Sequence, residues 1–385
     1  MEIKKVCPED FEQFCNVSAM AFIWKVDMSK ESFPEKESIY GAFEGDTLMA
    51  QVELFGHEAF FCNRLLPAVG IGGVATMPEY RRKGAVRGLF EHTEALAEEN
   101  GWVLGFLYPF SFNYYRQFGY ELVMRTLELS VKTQYLSAFE RNSNAEIYTG
   151  KNPDELHTIY NRIAANTNLM FCRTDDTYFI KEPYKTAEYT YIWRYNDGTP
   201  GAIVTYALDR EQRTLNVKEI FFTDRQALAG VLGFLRCYDA QVDEYRFLKL
   251  QQHSPLLDMF GEHNKLGVSM KPGAAARIYD LEALLKANEY PDTHGHFTLL
   301  SRDTLARNSG AFEVEYEHSC AQVRRVKTDK YDIALTAPAA ARLLLSGEAF
   351  NAGTVTYLDG VETNGEAADF FRAFPQRNTF LCDGF

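Results

Sequence analysis

The sequence predicts an α/β (α+β) protein with more than one domain, because strand and helix patterns alternate along its 385 residues. At about 150 residues per domain, this length suggests two or three domains. The hydrophobic share of 46% is ordinary for a globular chain. No run approaches the ~18 apolar residues of a membrane-spanning helix, and the N-terminus lacks an apolar leader. We therefore expect a cytoplasmic protein with no membrane partner.

The charge balance argues against nucleic acid as a partner. Lys and Arg total 40 against 53 Asp and Glu, a net charge of −13, whereas binding to a phosphate backbone needs a basic face. An acidic surface would suit a cationic substrate, although acidity more often serves solubility alone. The seven cysteines are scattered, odd in number and free of C-x-x-C pairs, which is typical of reduced thiols in the cytoplasm.

The most informative stretch joins a strand, a cationic turn and a helix. Residues 68–75 are apolar and contain glycine, as in a buried strand, and residues 86–97 carry apolar side chains at helical spacing. Gly101 then ends the helix. The turn at residues 81–84 places three cations and a glycine at the helix N-terminus. Free N–H groups and the helix dipole favour an anion there, so we predict a phosphate-binding loop.

This pattern resembles the GNAT N-acetyltransferase superfamily, whose pyrophosphate loop usually reads Q/R-x-x-G-x-G/A. Here Arg81 opens the loop and Gly84 fits it, but Val86 stands where Gly or Ala is usual. That departure, the F-G-Y sequence ending at Tyr120 and the length of the chain together resemble the Eis-type (enhanced intracellular survival) acetyltransferases. The superfamily resemblance covers the first predicted domain, and the Eis-type resemblance spans the chain.

The resemblance implies tandem GNAT-like domains with splayed mixed sheets, followed by a sterol-carrier-protein-like α/β domain. Polar residues near 145 and a Lys-Pro-Gly sequence near 272 suggest the boundaries. We expect a catalytic domain at residues 1–145, a degenerate GNAT-like domain at 146–274, and a third domain at 275–385 whose C-terminal tail docks into the active site. The second domain repeats the strand–turn–helix rhythm without the cationic glycine loop, so we expect it to lack a cofactor site.

The resemblance also implies acetyl-CoA as cosubstrate and no metal. The expected cofactor contacts come from the strand edge, the loop and a short following helix: Val74, Ala75, Thr76, Arg81, Arg82, Lys83, Gly84, Ala85, Val86, Arg87, Asn113 and Tyr115. The glycines at 70, 72 and 73 match a dinucleotide fingerprint, but they lie within the strand rather than in the turn before the helix. We interpret them as space for the acyl chain beside the backbone.

Tyr120 is the predicted general acid. In GNAT enzymes a Tyr after the short cofactor helix protonates the departing thiolate, and the F-G-Y match implies this role for Tyr120. A Tyr with its ordinary pKa near 10 is protonated at neutral pH and can donate its proton. The alternative is a core Tyr with a satisfied hydroxyl group.

The C-terminal residue is the predicted general base. No Asp or Glu stands out as the base by its spacing. Eis-like enzymes use the C-terminal carboxylate, which implies Phe385 here. The apolar Phe380, Leu381 and Phe385 suit a tail that docks, although frayed termini are the usual case.

The acceptor site is predicted from three residues. Trp24 and Asp27 lie in the segment that roofs the acceptor site in GNAT folds. Asp383 lies one place before Gly384, where Eis-type tails often carry an acidic residue. The resemblance implies N-acetyl transfer to a polyamine-type acceptor such as an aminoglycoside, by direct attack in a ternary complex, within a homohexamer. The alternatives are acyl transfer to a protein lysine or another small amine, and a non-catalytic CoA- or lipid-binding module.

Overall fold

The computed structural model describes residues 1–22, 33, 38–175, 178–365 and 367–385. The N-terminal part contains β1 (Glu2–Lys5), α1 (Phe11–Ala21), β2 (Ser38–Glu44), β3 (Thr47–Phe61), β4 (Arg64–Thr76), α2 (Ala85–Glu99), β5 (Leu104–Leu107), α3 (Phe112–Arg116) and β6 (Glu121–Leu122). The middle part contains β7 (Arg125–Lys132), β8 (Ala145–Ile147), α4 (Pro153–Ala164), α5 (Pro183–Thr186), β9 (Glu188–Arg194), β10 (Pro200–Asp209), β11 (Thr214–Phe222), α6 (Arg225–Leu235), β12 (Glu244–Gln251) and β13 (Gly267–Pro272). The C-terminal part contains β14 (Ala275–Ile278), α7 (Leu281–Ala287), β15 (Gly295–Arg302), β16 (Gly310–Glu317), β17 (Cys320–Val326), β18 (Ile333–Thr336), α8 (Ala337–Leu345), α9 (Ala352–Val355), β19 (Val361–Thr363) and α10 (Ala368–Ala373).

These strands form three sheets, which confirms the mixed α/β fold. The first sheet has the order β1-β2-β3-β4-β5-β14-β6, the second β13-β7-β12-β11-β10-β9-β8, and the third β17-β16-β15-β18-β19. Each sheet contains one parallel pair among antiparallel ones: β4 with β5, β11 with β12, and β15 with β18. Among the described residues, no helix combines the length and apolar character needed to cross a bilayer.

The parallel pairs of the first two sheets open at their C-terminal ends. β4 and β5 pair only as far as Gly70 and Phe106, and β11 and β12 only as far as Val217 and Phe247. Each pair then separates before a helix, α2 in the first sheet and α6 in the second. The two halves therefore repeat the same splayed strand–helix unit, as the sequence predicts.

The strands cross the domain boundaries expected from the sequence. β7 lies before residue 145, yet it pairs with β12 and β13 in the second sheet. β14 lies after residue 274, yet it pairs with β5 and β6 in the first sheet. Polar and proline-rich stretches mark surface loops, whereas sheet membership depends on which backbone edge is free to pair. The first two units are therefore joined by exchanged strands.

Arg277 holds β14 in the first sheet. Its side chain is 1% exposed, and its Nη2 lies 3.0 Å from Glu94 of α2 and 3.1 Å from Asp303 after β15. Its Nη1 also donates to the backbone carbonyl of Phe118. One buried cation thus links the first sheet, α2 and the segment that follows β15 of the third sheet.

We expect replacement of Arg277 by Met to destabilise the protein strongly. The substitution leaves the carboxylates of Glu94 and Asp303 without their cation, and removing one partner of a buried pair costs about 3–5 kcal/mol of unfolding free energy. Chemical denaturation measures this loss. Arg324→Met is the matched control, because the Arg324 side chain is 55% exposed beside Glu313 and an exposed pair contributes less than about 1 kcal/mol. Equal losses in the two variants would contradict this account.

Candidate active site

The cationic loop before α2 has the geometry of an anion site. Gly84 is the N-cap residue of α2, with a left-handed φ of 85°, and no side chain caps the helix. The first-turn N–H groups are therefore without a side-chain acceptor. The side chains of Arg81, Arg82 and Lys83 are exposed beside this helix end. The helix dipole and these cations together favour a phosphate.

Val86 fits the loop despite its unusual identity. Its side chain is half-buried and packs against the core beneath α2, so it points away from the exposed helix end. Arg87 is exposed, and its Nη2 donates to the Gln117 side chain at 2.8 Å. Within α2, Ala85 is 2% exposed. Among Ala85, Val86 and Arg87, only the Arg87 side chain is exposed at this helix end.

The short helix α3 holds its two predicted contacts in different surroundings. Asn113 is exposed and accepts a hydrogen bond from Arg116 at 2.6 Å. Tyr115, however, is 4% exposed, and its ring packs 5.9 Å from that of Phe90. The Tyr115 ring therefore fills the space between α2 and the sheet.

β4 offers an open backbone edge next to the anion site. On one side β3 pairs with β4 as far as Thr76. On the other side β5 pairs with it only at residues 68–70, and no strand of the described chain pairs with that side of residues 71–76. Those N–H and C=O groups of Val74, Ala75 and Thr76 that are directed to this side can therefore bind an extended amide chain.

Tyr120 lies under β5 where the two strands begin to separate. Its side chain is 1% exposed, and its hydroxyl lies 2.6 Å from that of Tyr279. A side-chain carbon at Gly105 would lie 3.0 Å from the Tyr120 oxygen, so the glycine admits this hydroxyl beside the strand. Burial and the neighbouring Tyr279 raise the pKa of Tyr120 well above its usual value. The group therefore holds its proton at neutral pH.

The C-terminal tail lies on the same strands. A side-chain carbon at Gly70 would lie 2.6 Å from the Phe385 ring, and one at Gly72 would lie 3.1 Å from the Phe385 carboxyl group. The Phe385 ring is also 5.5 Å from that of Tyr108. Gly70 and Gly72 thus make room for the tail, where the sequence suggested space for the acyl chain.

Tyr120 and Phe385 lie on opposite faces of the opened strands. Successive side chains of β4 alternate between the faces, so Gly70 and Gly72 share one face and Val69 lies on the other. Gly105 is the partner of Val69, which places the Tyr120 hydroxyl on the Val69 face. The predicted acid and base therefore lie on the two sides of the gap between β4 and β5, which we call the cosubstrate slot.

A buried ion pair fixes the tail just before Phe385. The guanidinium group of Arg173 is 1% exposed and donates to Asp383 Oδ1 at 2.9 Å and 2.6 Å. It also donates to both carboxylate oxygens of Glu219, at 3.1 Å and 2.6 Å. Its charge lies 4.2 Å from the ring centre of Tyr160. Burial opposes the charge, but the neighbouring acidic groups, Glu219 first, outweigh it and raise the pKa of Arg173.

This arrangement corrects the predicted role of Asp383. Its side chain is 1% exposed and neutralised by Arg173, so it cannot bind a substrate amine. The physical reason is that a carboxylate in the protein interior needs a cation, and the chain supplies one from the second unit. Asp383 is therefore an anchor of the tail.

Further hydrogen bonds hold the tail backbone. Lys249 Nζ donates to the Cys382 carbonyl at 2.6 Å, and the Tyr108 hydroxyl donates to the Asp383 carbonyl at 2.7 Å. The backbone N–H of Phe380 donates to the carbonyl of Asn168 at 3.0 Å. The tail is thus bound by both the first and the second unit.

The face that carries Phe385 includes residues that the sequence did not single out. Glu53, Phe55 and His57 alternate along β3 on this face, because Glu53 and Phe55 are paired with Gly72 and Gly70. The His57 ring stacks on Phe171 at 4.1 Å. Burial lowers the pKa of His57, although Asp383 opposes this, so its ring is neutral at pH 7. In the sequence, these three residues are indicated only by their spacing, since every second residue of a strand lies on the same face.

The predicted contacts Trp24 and Asp27 lie outside the described residues. The other predicted groups are brought together at the opened end of β4 and β5: the loop before α2, the free edge of β4, Tyr120 and Phe385. Arg173, Tyr279 and Lys249 complete the arrangement. They lie far from these groups in sequence, and no motif predicts them.

We expect Asp383→Asn to loosen the tail while preserving its shape. The amide leaves Arg173 without its second carboxylate, and breaking a buried pair is costly, so carboxypeptidase should remove Phe385 at least about tenfold faster than from the unmodified protein. Mass spectrometry of timed digests measures this rate. Asp243→Asn is the control, because Asp243 pairs with Arg213 at an exposed site. Unchanged digestion of the Asp383 variant would show that the ion pair does not hold the tail.

Comparisons with known proteins agree with this geometry. Two family models, each described as an acetyltransferase (GNAT) domain, match residues 2–123 and 170–278. No curated protein sequence matches the chain. Each matched region contains its own splayed strand–helix unit: β4, β5 and α2 in the first region, and β11, β12 and α6 in the second.

Solved structures show the same fold along the whole chain. A probable N-acyltransferase from Enterococcus faecalis is 20% identical with a TM-score of 0.85, covering 100% of this chain and 99% of that one. A GCN5-related N-acetyltransferase from Anabaena variabilis is 19% identical with a TM-score of 0.83, covering 100% of both chains. Eis1 from Mycobacterium abscessus is 18% identical with a TM-score of 0.84, again covering 100% of both. At such identities these likenesses establish the fold alone. With two GNAT domains in an Eis-like fold, the chain is an acyl-CoA-dependent N-acetyltransferase of the GNAT family that acts on an amine.

Proposed function

We propose that the chain transfers the acetyl group of acetyl-CoA to a primary amine of a polyamine-type acceptor, such as an aminoglycoside, by direct attack in a ternary complex. The observation that carries this proposal is the position of the C-terminal Phe385 against Gly70 and Gly72, opposite Tyr120. It supplies a carboxylate on one side of the opened strands and a protonated hydroxyl on the other. Direct attack requires these two groups and no covalent enzyme intermediate.

The first unit fits acetyl-CoA in two places. The uncapped start of α2 and the cations of residues 81–83 suit the pyrophosphate. The free edge of β4 at residues 74–76 suits the amides of the pantetheine arm, as an added strand would. The two places are adjacent in the chain, because the end of β4 continues through the loop into α2.

The Phe385 carboxylate is the proposed base. It would accept a proton from the acceptor amine, directly or through a water molecule, as the nitrogen forms its bond to the thioester carbon. Backbone N–H groups near Val74 would stabilise the negative charge that develops on the thioester oxygen. The ion pair behind the tail gives the carboxylate a fixed position, which matters because proton transfer requires hydrogen-bond distance.

Tyr120 is the proposed acid. As the carbon–sulfur bond breaks, the Tyr120 hydroxyl would give its proton to the departing sulfur. Tyr279 holds this hydroxyl by a hydrogen bond of 2.6 Å. Its own pKa is raised by burial to about 12, so both hydroxyl groups are protonated at neutral pH.

A cationic acceptor suits the face that carries Phe385. The carboxylate of Glu53 lies against Gly73 on this side of β4, and the terminal carboxylate adds a second negative charge. The aromatic rings of Phe55 and Tyr108 lie 6.4 Å and 5.5 Å from that of Phe385, and ring faces attract ammonium groups. The net charge of −13 would also draw a cation towards the protein.

The assembly and the third unit stay predictions. The five-stranded sheet occupies the region in which the resemblance implies a sterol-carrier-protein-like domain, and the Eis-type resemblance implies a homohexamer in the cytoplasm. Light scattering would measure the oligomeric state directly.

We expect Tyr120→Phe to lower kcat by about 10²–10⁴ while acetyl-CoA still binds, because the variant loses only the proton donor. Steady-state kinetics with thiol detection, together with calorimetric titration of acetyl-CoA, checks this. Tyr279→Phe is the control: it removes the hydrogen-bond partner but keeps the donor, so its loss should be much smaller. An unchanged kcat in the Tyr120 variant would exclude Tyr120 as the acid.

We expect thiol release from acetyl-CoA to depend on an acceptor with several amines. The panel contains aminoglycosides, linear polyamines, lysine peptides and a monoamine, each with the matched N-acetylated compound as control. Multi-amine acceptors should give the highest kcat/KM, because one ammonium group can bind the carboxylates while a second amine reacts. Faster turnover of lysine peptides would instead identify a protein as the acceptor.

A further inference from the structure

The second unit contains a cavity where its own parallel strands separate. The cavity has a volume of ≈ 480 Å³, which lies within the usual range of about 300–1,000 Å³ for small-molecule sites. Consecutive residues of both strands line it, 220–223 at the end of β11 and 249–251 at the end of β12. Because neighbouring residues of a strand point to opposite faces, a cavity that touches all of them lies between the strand edges. The site is therefore the counterpart of the cosubstrate slot in the first unit.

Asp224 excludes a phosphate from this second slot. It is the N-cap residue of α6, and its carboxylate accepts hydrogen bonds from the Ala227 N–H at 2.8 Å and from the Tyr195 hydroxyl at 2.6 Å. The helix N-terminus is thus already occupied by an anion, whereas that of α2 is uncapped. A CoA pyrophosphate would lose its main binding site here and meet a like charge.

The slot still offers a free strand edge. β11 pairs with β12 only at residues 214–217, and in the described part of the chain no strand pairs with that edge from residue 218 to 222. The opposite edge of β11 is paired with β10 as far as Phe222. The free N–H and C=O groups would hydrogen-bond an amide-containing ligand in extended form.

The remaining walls combine apolar, cationic and uncharged polar side chains, the last including Asn166, Thr167 and Gln251. Ile163, Phe221 and Leu250 provide apolar surface, and the tail adds Phe380. Two cations also line the cavity. Arg162 is exposed at its rim, and Lys249 is held by the Cys382 carbonyl. No Asp or Glu belongs to the lining. In a chain with 13 more acidic than basic residues, such a lining favours an anion with an apolar body.

We propose that this slot binds a small N-acyl amino acid, or a similar amide that carries one carboxylate and an apolar side chain. The amide would hydrogen-bond to the free edge of β11, and the carboxylate would bind Arg162. The apolar side chain would pack against Phe221 and Phe380. The site is separate from the cosubstrate slot and does not depend on the proposed function. Its occupant would touch Asn378 and Phe380 of the tail.

Calorimetric titration with N-acetylphenylalanine tests the proposal, carried out with the full chain saturated with CoA so that the first slot is closed to the probe. We expect saturable binding that is at least tenfold weaker for N-acetylphenylalanine amide, which lacks the carboxylate. Arg162→Gln should weaken binding of the acid by at least tenfold. Arg225→Gln is the matched control, since Arg225 is exposed at the start of α6 and does not line the cavity, and it should leave binding unchanged.

Amide hydrogen exchange locates the bound probe. Saturation with N-acetylphenylalanine should slow exchange at residues 218–222, whose free edge becomes hydrogen-bonded, and leave residues 71–76 of the first slot unchanged. Absence of binding at millimolar probe, equal affinity for acid and amide, unchanged binding in Arg162→Gln, or protection confined to residues 71–76 would each overturn the proposal.

Discussion

The buried contact between Arg173 and Asp383 is the interaction on which the active site depends. The guanidinium group belongs to the second unit, the carboxylate to the tail, and Glu219 closes the other side of the cation. A lone charge at this depth would be prohibitively costly, so the three groups stabilise one another only when the tail is docked. Two residues further on, Phe385 lies against Gly70 and Gly72 of β4. The position of the proposed base is therefore determined by an electrostatic requirement of the interior.

The opened strand pair lets the proposed acid and the proposed base lie on opposite sides of one gap in the sheet, one for the departing sulfur and the other for the attacking amine. In a fully paired parallel ladder, hydrogen bonds join the two strand edges, so no ligand can lie between the strands. Separation after Gly70 and Phe106 leaves a gap between the strands, with Tyr120 on one face and Phe385 on the other. Neither Gly105 nor Gly70 has a side chain. Gly105 therefore leaves room for the Tyr120 hydroxyl on one face, and Gly70 leaves room for the Phe385 ring on the other. The two halves of the chain share this opened pair, but only the first has an uncapped helix behind it. The Asp224 carboxylate caps α6, whereas no side chain caps α2, so the two helix starts differ in whether an anion already lies there.

Local features of the site could be predicted from the sequence, and long-range ones could not. The strand, loop and helix from β4 to α2 follow from short-range periodicity and from glycine at a left-handed position, so they were predicted correctly. The same holds for the opened second unit. The exchange of β7 and β14 between the sheets depends on free backbone edges, which leave no trace in composition. The turn between β3 and β4 has no glycine signal, because it uses Cys62 and Asn63 in left-handed conformations. Asp383 was given the wrong role because its partner, Arg173, lies 210 positions away in the chain.

The most direct test of the central claim is the kcat of a chain extended by one glycine after Phe385. The extension keeps the Phe385 ring and the Asp383 anchor but moves the terminal carboxylate one residue onward. If that carboxylate is the base, thiol release at saturating acceptor should fall by about 10²–10⁴ while acetyl-CoA binds with unchanged affinity. Full turnover by the extended chain would contradict the account and assign proton removal to another group on the same face, such as Glu53 or His57.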